Sequence, residues 1–238
     1  MTEGRWALFI DVEGFSLLYK QNEPQALKRF EQLAEAIHEI LEKPPNAFPR
    51  MGAHHMGDGF VIVSDSSEEP VEQPLALAIA LMRHLLAKGI ACKAGISAGG
   101  FSDIGGCLPR CIQDQMDNTQ AIRKEKYRMT FWPVMGTALI NAFNLIKKGP
   151  SGPLVLLDGR LYTTSTIKAL DHAESFVIVD WIRSEPPLLA ELMRNLGADT
   201  QAPEELARRL NNYVSQAAGI SAEWKANALR LAQGTDRD

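Results

Sequence analysis

Two aspartates stand where a divalent metal ion could be bound. Asp11 follows a continuous apolar run, 6–10, which predicts a strand buried on both faces. Asp58 lies in a Gly-Asp-Gly sequence before the apolar run 60–63, which predicts a tight hairpin tip beside a strand. Mg²⁺ typically takes one or two protein carboxylates and completes its shell with water and phosphate. The pair therefore suits phosphoryl transfer from a nucleoside triphosphate, although each aspartate alone could equally be a helix cap or a turn residue.

The residues after Asp11 suit an anion. From 12 to 16 the chain turns into a helical pattern, so backbone N–H groups would face an anion at a helix N-terminus. Gly14 would allow phosphates to approach the backbone closely. The segment is therefore a candidate phosphate-binding loop.

The remaining pattern predicts helices and strands that alternate around one sheet. The predicted elements are a helix over 24–42, a hairpin over 51–63, a helix over 68–88 that ends at Gly89, a strand over 92–98, a helix over 136–148, and strands over 153–157 and 175–182. From residue 185 the composition shifts to Leu, Ala, Glu and Arg, which predicts helices packed on the core or on a partner.

Four segments recur in an order that resembles the catalytic domain of class III adenylate and guanylate cyclases. They are Asp-x-x-Gly-Phe-Ser at 11–16, Gly-Asp-Gly-Phe at 57–60, Lys-Ala-Gly-Ile-Ser-Ala-Gly at 93–99, and Met-Gly-Thr-Ala-Leu-Ile-Asn at 135–141. The resemblance runs to about residue 182 and implies a ferredoxin-like βαββαβ core that acts as a homodimer with interfacial active sites.

That resemblance divides the chain into a nucleotide cyclase domain, 1–183, and a helical C-terminal extension, 184–238. It implies that Asp11 and Asp58 bind two divalent ions, Mn²⁺ or Mg²⁺, with the backbone carbonyl of Val12 as a further ligand. The β- and γ-phosphates would then be cradled by the amides of Glu13, Gly14, Phe15 and Ser16. In the implied reaction the ribose 3′-hydroxyl attacks the α-phosphorus and pyrophosphate leaves.

The position that contacts the base in purine cyclases of this family is His54, four residues before Asp58. Adenylate cyclases carry lysine there and aspartate at the position of Pro133, whereas guanylate cyclases carry glutamate and cysteine. Neither purine code is present, and a proline side chain offers no hydrogen bond to a base. Phe131 and Trp132 would either fill the space of a purine or pack in the core.

The chain is therefore most similar to the pyrimidine cyclases of Pycsar anti-phage systems. The similarity implies synthesis of cyclic UMP or cyclic CMP from UTP or CTP, and a product that activates a separate effector. The alternatives are a catalytically inactive cyclase-like domain that binds a nucleotide, an adenylate or guanylate cyclase with an unusual base pocket, and a metal-dependent phosphohydrolase on a similar sheet.

The remaining substrate contacts are less well matched. The family expects a ribose-orienting asparagine at the position of Ile140, one residue before Asn141, and an arginine at the position of Asn144. Charge that develops on the α-phosphate needs a donor. Arg50 and Arg128 are the candidates for it, with exposed surface charge as the alternative role for both.

The composition of the chain limits which partners and which cellular location we expect for the protein. A net charge of −4 and a pI near 5.8 argue against a nucleic-acid polymer as partner. No apolar stretch approaches the roughly 20 residues that a membrane helix needs, and the N-terminus lacks a signal-peptide pattern. Three cysteines without Cys-x-x-Cys spacing argue against a zinc site or a disulfide framework. We therefore expect a cytoplasmic protein without a membrane partner.

Overall fold

The computed structural model describes residues 5–48, 50–64, 71–103, 107–117, 120–130, 134–162, 167–199, 201–217 and 219–234. The strands are β1 (Arg5–Val12), β2 (Met51–Met56), β3 (Gly59–Ser64), β4 (Cys92–Gly99), β5 (Ser102–Asp103), β6 (Ala121–Arg123), β7 (Arg128–Thr130), β8 (Val134–Met135), β9 (Val155–Asp158), β10 (Ala169–His172) and β11 (Phe176–Val179). The helices are α1 (Phe15–Gln21), α2 (Glu23–Glu42), α3 (Glu72–Ala87), α4 (Arg110–Gln113), α5 (Thr137–Lys148), α6 (Leu189–Asn195), α7 (Pro203–Gln216) and α8 (Ala222–Gln233).

The main sheet has seven strands in the order β10-β11-β9-β4-β1-β3-β2. Strand β1 lies between β3 and β4 and is antiparallel to both, and β2 forms the edge beside β3. With α1 and α2 between β1 and β2, and α3 between β3 and β4, this is the predicted ferredoxin-like βαββαβ arrangement. The α/β fold prediction is therefore confirmed by the strand order itself. Strand β9 extends the sheet in parallel with β4.

Alternate residues of β1 enter two separate apolar clusters, because successive side chains of a strand point to opposite faces. Leu8 and Ile10 belong to the large cluster built with α2 and α3. Ala7 and Phe9 belong to a smaller cluster with α5, where the Phe9 and Phe143 rings meet edge to face at 5.3 Å. Both faces of β1 are thus covered, as its uninterrupted apolar run predicts.

The C-terminal helices pack on the core of their own chain. The apolar side chains of α6, α7 and α8 belong to the same cluster as the sheet and α3. Arg83 of α3 is completely buried and donates to the carbonyl oxygens of Trp181, Ile182 and Ser184 and to the Glu185 carboxylate. This buried guanidinium joins α3 to the backbone that leads into the extension.

Several predicted boundaries differ from the observed ones. Helix α3 begins at Glu72, and residues 65–70 lie outside the described part of the chain. The strand predicted over 175–182 ends at Val179, because the next residue starts a turn in which the Asp180 carbonyl accepts from the Ser184 N–H at 2.9 Å. Helix α3 ends as predicted, with Gly89 in the left-handed region at φ 75°.

Among the described residues, no helix combines the length and apolarity that crossing a bilayer requires.

The hairpin that carries Asp58 depends on glycine at position 59. A Cβ atom there would lie 2.4 Å from the Ile10 carbonyl oxygen and 2.9 Å from Cβ of Asp11. We expect Gly59→Ala to lower the free energy of unfolding by about 1–3 kcal/mol, because the backbone must move to relieve the overlap. Gly52→Ala is the matched control in β2, since its nearest neighbour would be Nε2 of His54 at 3.4 Å. Equal losses for the two variants in urea unfolding would contradict the close approach of β3 to β1.

Candidate active site

The fold brings Asp11 and Asp58 together. Asp11 is the penultimate residue of β1 and lies directly opposite Gly59 in the antiparallel pairing with β3. Asp58 immediately precedes Gly59 in the turn between β2 and β3. The two charges are close enough that Asp58 raises the pKa of Asp11. The predicted carboxylate pair is therefore adjacent at one end of the central strand.

The Asp11 carboxylate has one oxygen atom that is shielded from solvent. Its Oδ1 atom is buried and has no hydrogen-bond partner among the residues that the structure describes. Burial, followed by the charges of Glu13 and Asp58, raises the pKa of Asp11 to about 7, against an opposing effect of Lys93. An ionised carboxylate in such a position is costly unless a cation accompanies it. The donor atoms therefore fit a hard divalent cation.

Lys93 is a buried cation that lies beside this acidic group in the sheet. It faces Asp11 across the pairing of β1 with β4. Its Nζ donates to the carbonyl oxygen of Ile146 at 2.7 Å and to that of Gly149 at 3.5 Å, at the end of α5. Burial lowers the pKa of Lys93, whereas Glu13 and Asp11 raise it. No role was predicted for Lys93 from the sequence. The one indication of a role was the presence of a lysine inside the apolar run 92–98.

Glu13 differs from its predicted role. Its backbone N–H donates to the carbonyl oxygen of Ala91 at 2.9 Å, so this amide is already engaged and the prediction that it cradles phosphate is wrong for Glu13. Its carboxylate accepts a hydrogen bond from the Trp224 indole N–H of α8. Burial raises the pKa of Glu13, and the Trp224 hydrogen bond opposes that rise. The C-terminal extension therefore contacts the loop that follows Asp11.

The other predicted phosphate-binding residues lie at the start of α1. Gly14 precedes this helix with φ 71°, a left-handed conformation that favours glycine, and a Cβ atom there would meet nothing within 4 Å. Backbone conformation thus accounts for Gly14 without a ligand. Phe15 and Ser16 begin α1, where the first N–H groups of a helix lack acceptors within it.

We expect Trp224→Phe to lower the free energy of unfolding by about 1–3 kcal/mol. The phenyl ring keeps most of the apolar packing but leaves the partly buried Glu13 carboxylate without its indole donor. Trp181→Phe is the matched control, because its indole N–H donates to a neutral acceptor, the Pro153 carbonyl oxygen. Urea unfolding at pH 8 should show the larger loss for Trp224→Phe. The reverse order would contradict a charged Glu13 carboxylate at this contact.

The adjacent histidines of β2 face opposite sides of the sheet, as expected for neighbours on a strand. By register, His54 lies on the same face as Asp11. His55 packs on the other face, with ring centroids 4.9 Å from Phe30 and 5.5 Å from Phe60. Burial lowers the pKa of His54. One histidine is therefore placed on the side of the candidate site.

The remaining predicted contact residues lie on elements other than β1 and the β2-β3 turn. Arg50 is exposed and precedes β2, at the opposite end of that strand from the hairpin tip. Arg128 is exposed in the small β6-β7 sheet, opposite Arg123. Asn141, on α5, lines a cavity of about 520 Å³ together with Asp158. The base-pocket residues 131–133 lie outside the described residues.

Within the described part of the chain, no group of three or more histidine, cysteine or acidic side chains is arranged to hold a metal ion. Asp11 and Asp58 thus offer two carboxylates, to which the Val12 carbonyl could add one backbone oxygen. A magnesium ion that is bound together with a nucleotide typically has only one or two protein ligands, and phosphate and water supply the others. The carboxylates of Asp11 and Asp58 resemble such a set.

Comparison with known proteins gives little independent support for a functional assignment. No family model matches the chain, and no curated protein matches it. Among solved structures, it is similar to a bacterial light-regulated adenylyl cyclase at 10% sequence identity and a TM-score of 0.38. The alignment covers 81% of this chain and 55% of that one, so the chain spans about half the length of that structure. The fold assignment above rests on strand order, and function must be argued from the site.

Proposed function

We propose that the protein is a metal-dependent nucleotide cyclase, a phosphorus–oxygen lyase that converts a nucleoside triphosphate to its 3′,5′-cyclic monophosphate and pyrophosphate. The observation that carries this proposal is the Asp11 Oδ1 atom near the end of β1, which is buried and has no hydrogen-bond partner among the described residues, beside the hairpin aspartate Asp58. Their order along the chain, with the motifs at 93–99 and 135–141, supports a cyclase over other phosphoryl-transfer enzymes on a similar sheet.

Asp11, Asp58 and the Val12 carbonyl would hold two divalent ions, Mn²⁺ or Mg²⁺. Bound there, the ions would lower the pKa of the ribose 3′-hydroxyl and neutralise charge on the triphosphate. The protein positions the carboxylates through the β1-β3 pairing, which fixes Asp11 against Gly59. Lys93 limits the acidic charge at the same place while it anchors the end of α5.

The amides of Gly14, Phe15 and Ser16 would bind the terminal phosphates at the start of α1. In the reaction the 3′-hydroxyl releases its proton to water, a bond forms between the 3′-oxygen and the α-phosphorus, and the bond from the α-phosphorus to the bridging oxygen breaks. The electron pair and negative charge leave with pyrophosphate. Arg128 or Arg50 would stabilise charge on the α-phosphate in the transition state.

The proposed substrate is UTP or CTP. This choice rests on the sequence, where His54 and Pro133 replace both purine-reading pairs of the family. His54 lies on the face of the sheet that carries Asp11, which suits contact with a base. An anti-phage role, with the cyclic pyrimidine nucleotide acting on a separate effector, follows from the same resemblance and is part of the proposal.

The proposed active form is a homodimer in which each site uses residues of both chains. Met135, Ile140 and Phe143 present exposed apolar side chains on and beside α5, where a second copy could cover them. Asn141 and Arg128 would then act in the partner's site. Mixing Asp58→Asn chains with Arg128→Ala chains tests this arrangement: recovered turnover supports it, and intact mixed dimers without turnover count against Arg128.

The function is tested by incubating the purified protein separately with ATP, GTP, CTP and UTP in Mn²⁺, and identifying the products by mass. A cyclic pyrimidine nucleotide, absent with Asp58→Asn, is the expected result. A cyclic purine would retain the cyclase and overturn the base preference. Linear mono- or diphosphates would indicate a phosphohydrolase, and no product from folded protein would favour an inactive nucleotide-binding domain.

A further inference from the structure

A cavity of about 580 Å³ opens among α1, the first half of α2, the end of α3 and α7. We call it the α1–α7 cavity. Its described lining includes Glu13 and Gly14 from the loop after β1, but neither Asp11 nor Asp58. It is therefore a separate space that adjoins the candidate metal site through that loop.

Two guanidinium groups line the α1–α7 cavity, and protein contacts hold both in place. Arg29 donates from Nη1 to the Tyr213 hydroxyl at 3.4 Å, and its guanidinium lies 6.0 Å from the centre of that ring. Arg209 donates from Nε to a Glu205 carboxylate oxygen at 2.8 Å and from Nη1 to the Ala87 carbonyl oxygen at 3.2 Å. A guanidinium carries five N–H donors, so these contacts use only part of each group.

The charged side chains that line the cavity are two guanidinium groups and one carboxylate. Glu13 is the only acidic side chain among the lining residues that the structure describes, and its carboxylate is hydrogen-bonded to Trp224. Glu205, which pairs with Arg209, also pairs with Arg208 and does not belong to that lining. Two guanidinium groups thus line the cavity, and one of them is ion-paired with Glu205 from outside the lining. Their remaining N–H donors suit a phosphate or carboxylate group, which arginine binds better than any other side chain.

The volume of the α1–α7 cavity and its uncharged lining residues indicate which kind of ligand it could bind. The volume lies within the roughly 300–1,000 Å³ typical of small-molecule sites, so inorganic phosphate would leave most of it unfilled. The lining also provides amide side chains, including Gln25 and Asn212, and the apolar side chains of Leu17 and Leu86. Amides can hydrogen-bond a heterocycle or sugar while leucines pack against its flat face.

We propose that the α1–α7 cavity is a second ligand site, which binds a nucleotide-sized organic phosphate with its phosphate group on Arg29 and Arg209. The inference goes beyond the cyclase reaction and does not depend on it. Since Glu13 and Gly14 belong to both the cavity lining and the loop after Asp11, a bound ligand would contact the loop that adjoins the metal site.

The test is calorimetric titration of the full chain with AMP, GMP, CMP and UMP in EDTA, which suppresses metal-dependent binding at Asp11 and Asp58. We expect one-to-one binding of at least one monophosphate. Arg209→Ala should weaken that binding at least tenfold. Arg208→Ala, which removes the exposed neighbour that also pairs with Glu205 but does not line the cavity, should change it less than twofold.

A second pair of variants leaves both guanidinium groups in place. Asn212→Trp would fill the cavity from its exposed rim and should abolish binding, whereas Asn211→Trp, on the same helix but outside the described lining, should not. Asp58→Asn should bind as tightly as the wild type. Absence of binding for all four monophosphates, equal effects within both matched pairs, or loss of binding in Asp58→Asn would overturn the proposal. None of these outcomes changes the products expected from triphosphates, so this proposal and the cyclase proposal fail independently.

Discussion

Asp58→Asn and Asp11→Asn are each expected to lower metal-dependent nucleotide turnover by roughly 1,000-fold, because each removes a carboxylate proposed to hold the divalent ions, a contribution of several kcal/mol. Asparagine keeps the shape of the side chain and so should preserve the β1-β3 hairpin geometry. Initial rates with Mn²⁺ and the best triphosphate measure the effect.

Asp199→Asn is the matched control for these rates, since Asp199 is exposed beyond α6. Its rate should stay within about twofold of the wild type, the size of effect expected for a surface substitution. If folded Asp58→Asn retained a rate close to that of Asp199→Asn, the assignment of Asp58 as a metal ligand would be wrong.

Asp11→Asn is also expected to change how the stability of the metal-free protein depends on pH. The pKa of Asp11 is raised from 3.8 to about 7 in the folded state, mainly by burial. Between these values the unfolded chain loses the proton while the folded chain keeps it, so wild-type stability falls as pH rises and levels off above about 7. The variant lacks this loss. Its stability relative to the wild type should therefore increase by about 2–4 kcal/mol between pH 4.5 and pH 8.

Urea unfolding in EDTA across that pH range measures the difference. Asp199→Asn should follow the wild-type curve. Adding Mn²⁺ at pH 8 should stabilise the wild type more than Asp11→Asn, because a ligand that binds only the folded state adds to its stability. Parallel pH curves for wild type and Asp11→Asn would contradict the raised pKa of Asp11 in the folded protein.

The sequence predicted structural features correctly where its pattern was strong and local. The uninterrupted apolar run of β1 and the Gly-Asp-Gly turn predicted two strands whose pairing places Asp11 near Asp58. The opposite orientation of His54 and His55 followed from strand geometry alone. Local patterns predicted an alternating order of helices and strands around one sheet, whereas the βαββαβ arrangement of that sheet was implied only by the resemblance to class III cyclases.

Local sequence patterns could not predict contacts between residues that are far apart in the chain. Glu13 and Trp224 are separated by 211 residues, so neither the contact of α8 with the loop nor the engaged Glu13 amide has a sequence signal. The β6-β7 hairpin was missed because strands of three residues carry almost no periodicity. The domain boundary at residue 183 stays a prediction, and helices on both sides of it share one hydrophobic cluster.

Asp11 and Asp58 are proposed to form a divalent-metal site for a nucleotide. Electron paramagnetic resonance of Mn²⁺, titrated into the protein with a non-reactive UTP or CTP analogue, tests it without relying on turnover. We expect two bound ions per chain with the analogue, and loss of this binding in Asp11→Asn and Asp58→Asn but not in Asp199→Asn. Mn²⁺ binding that is the same in all four proteins, or absent from the folded wild type, would contradict it.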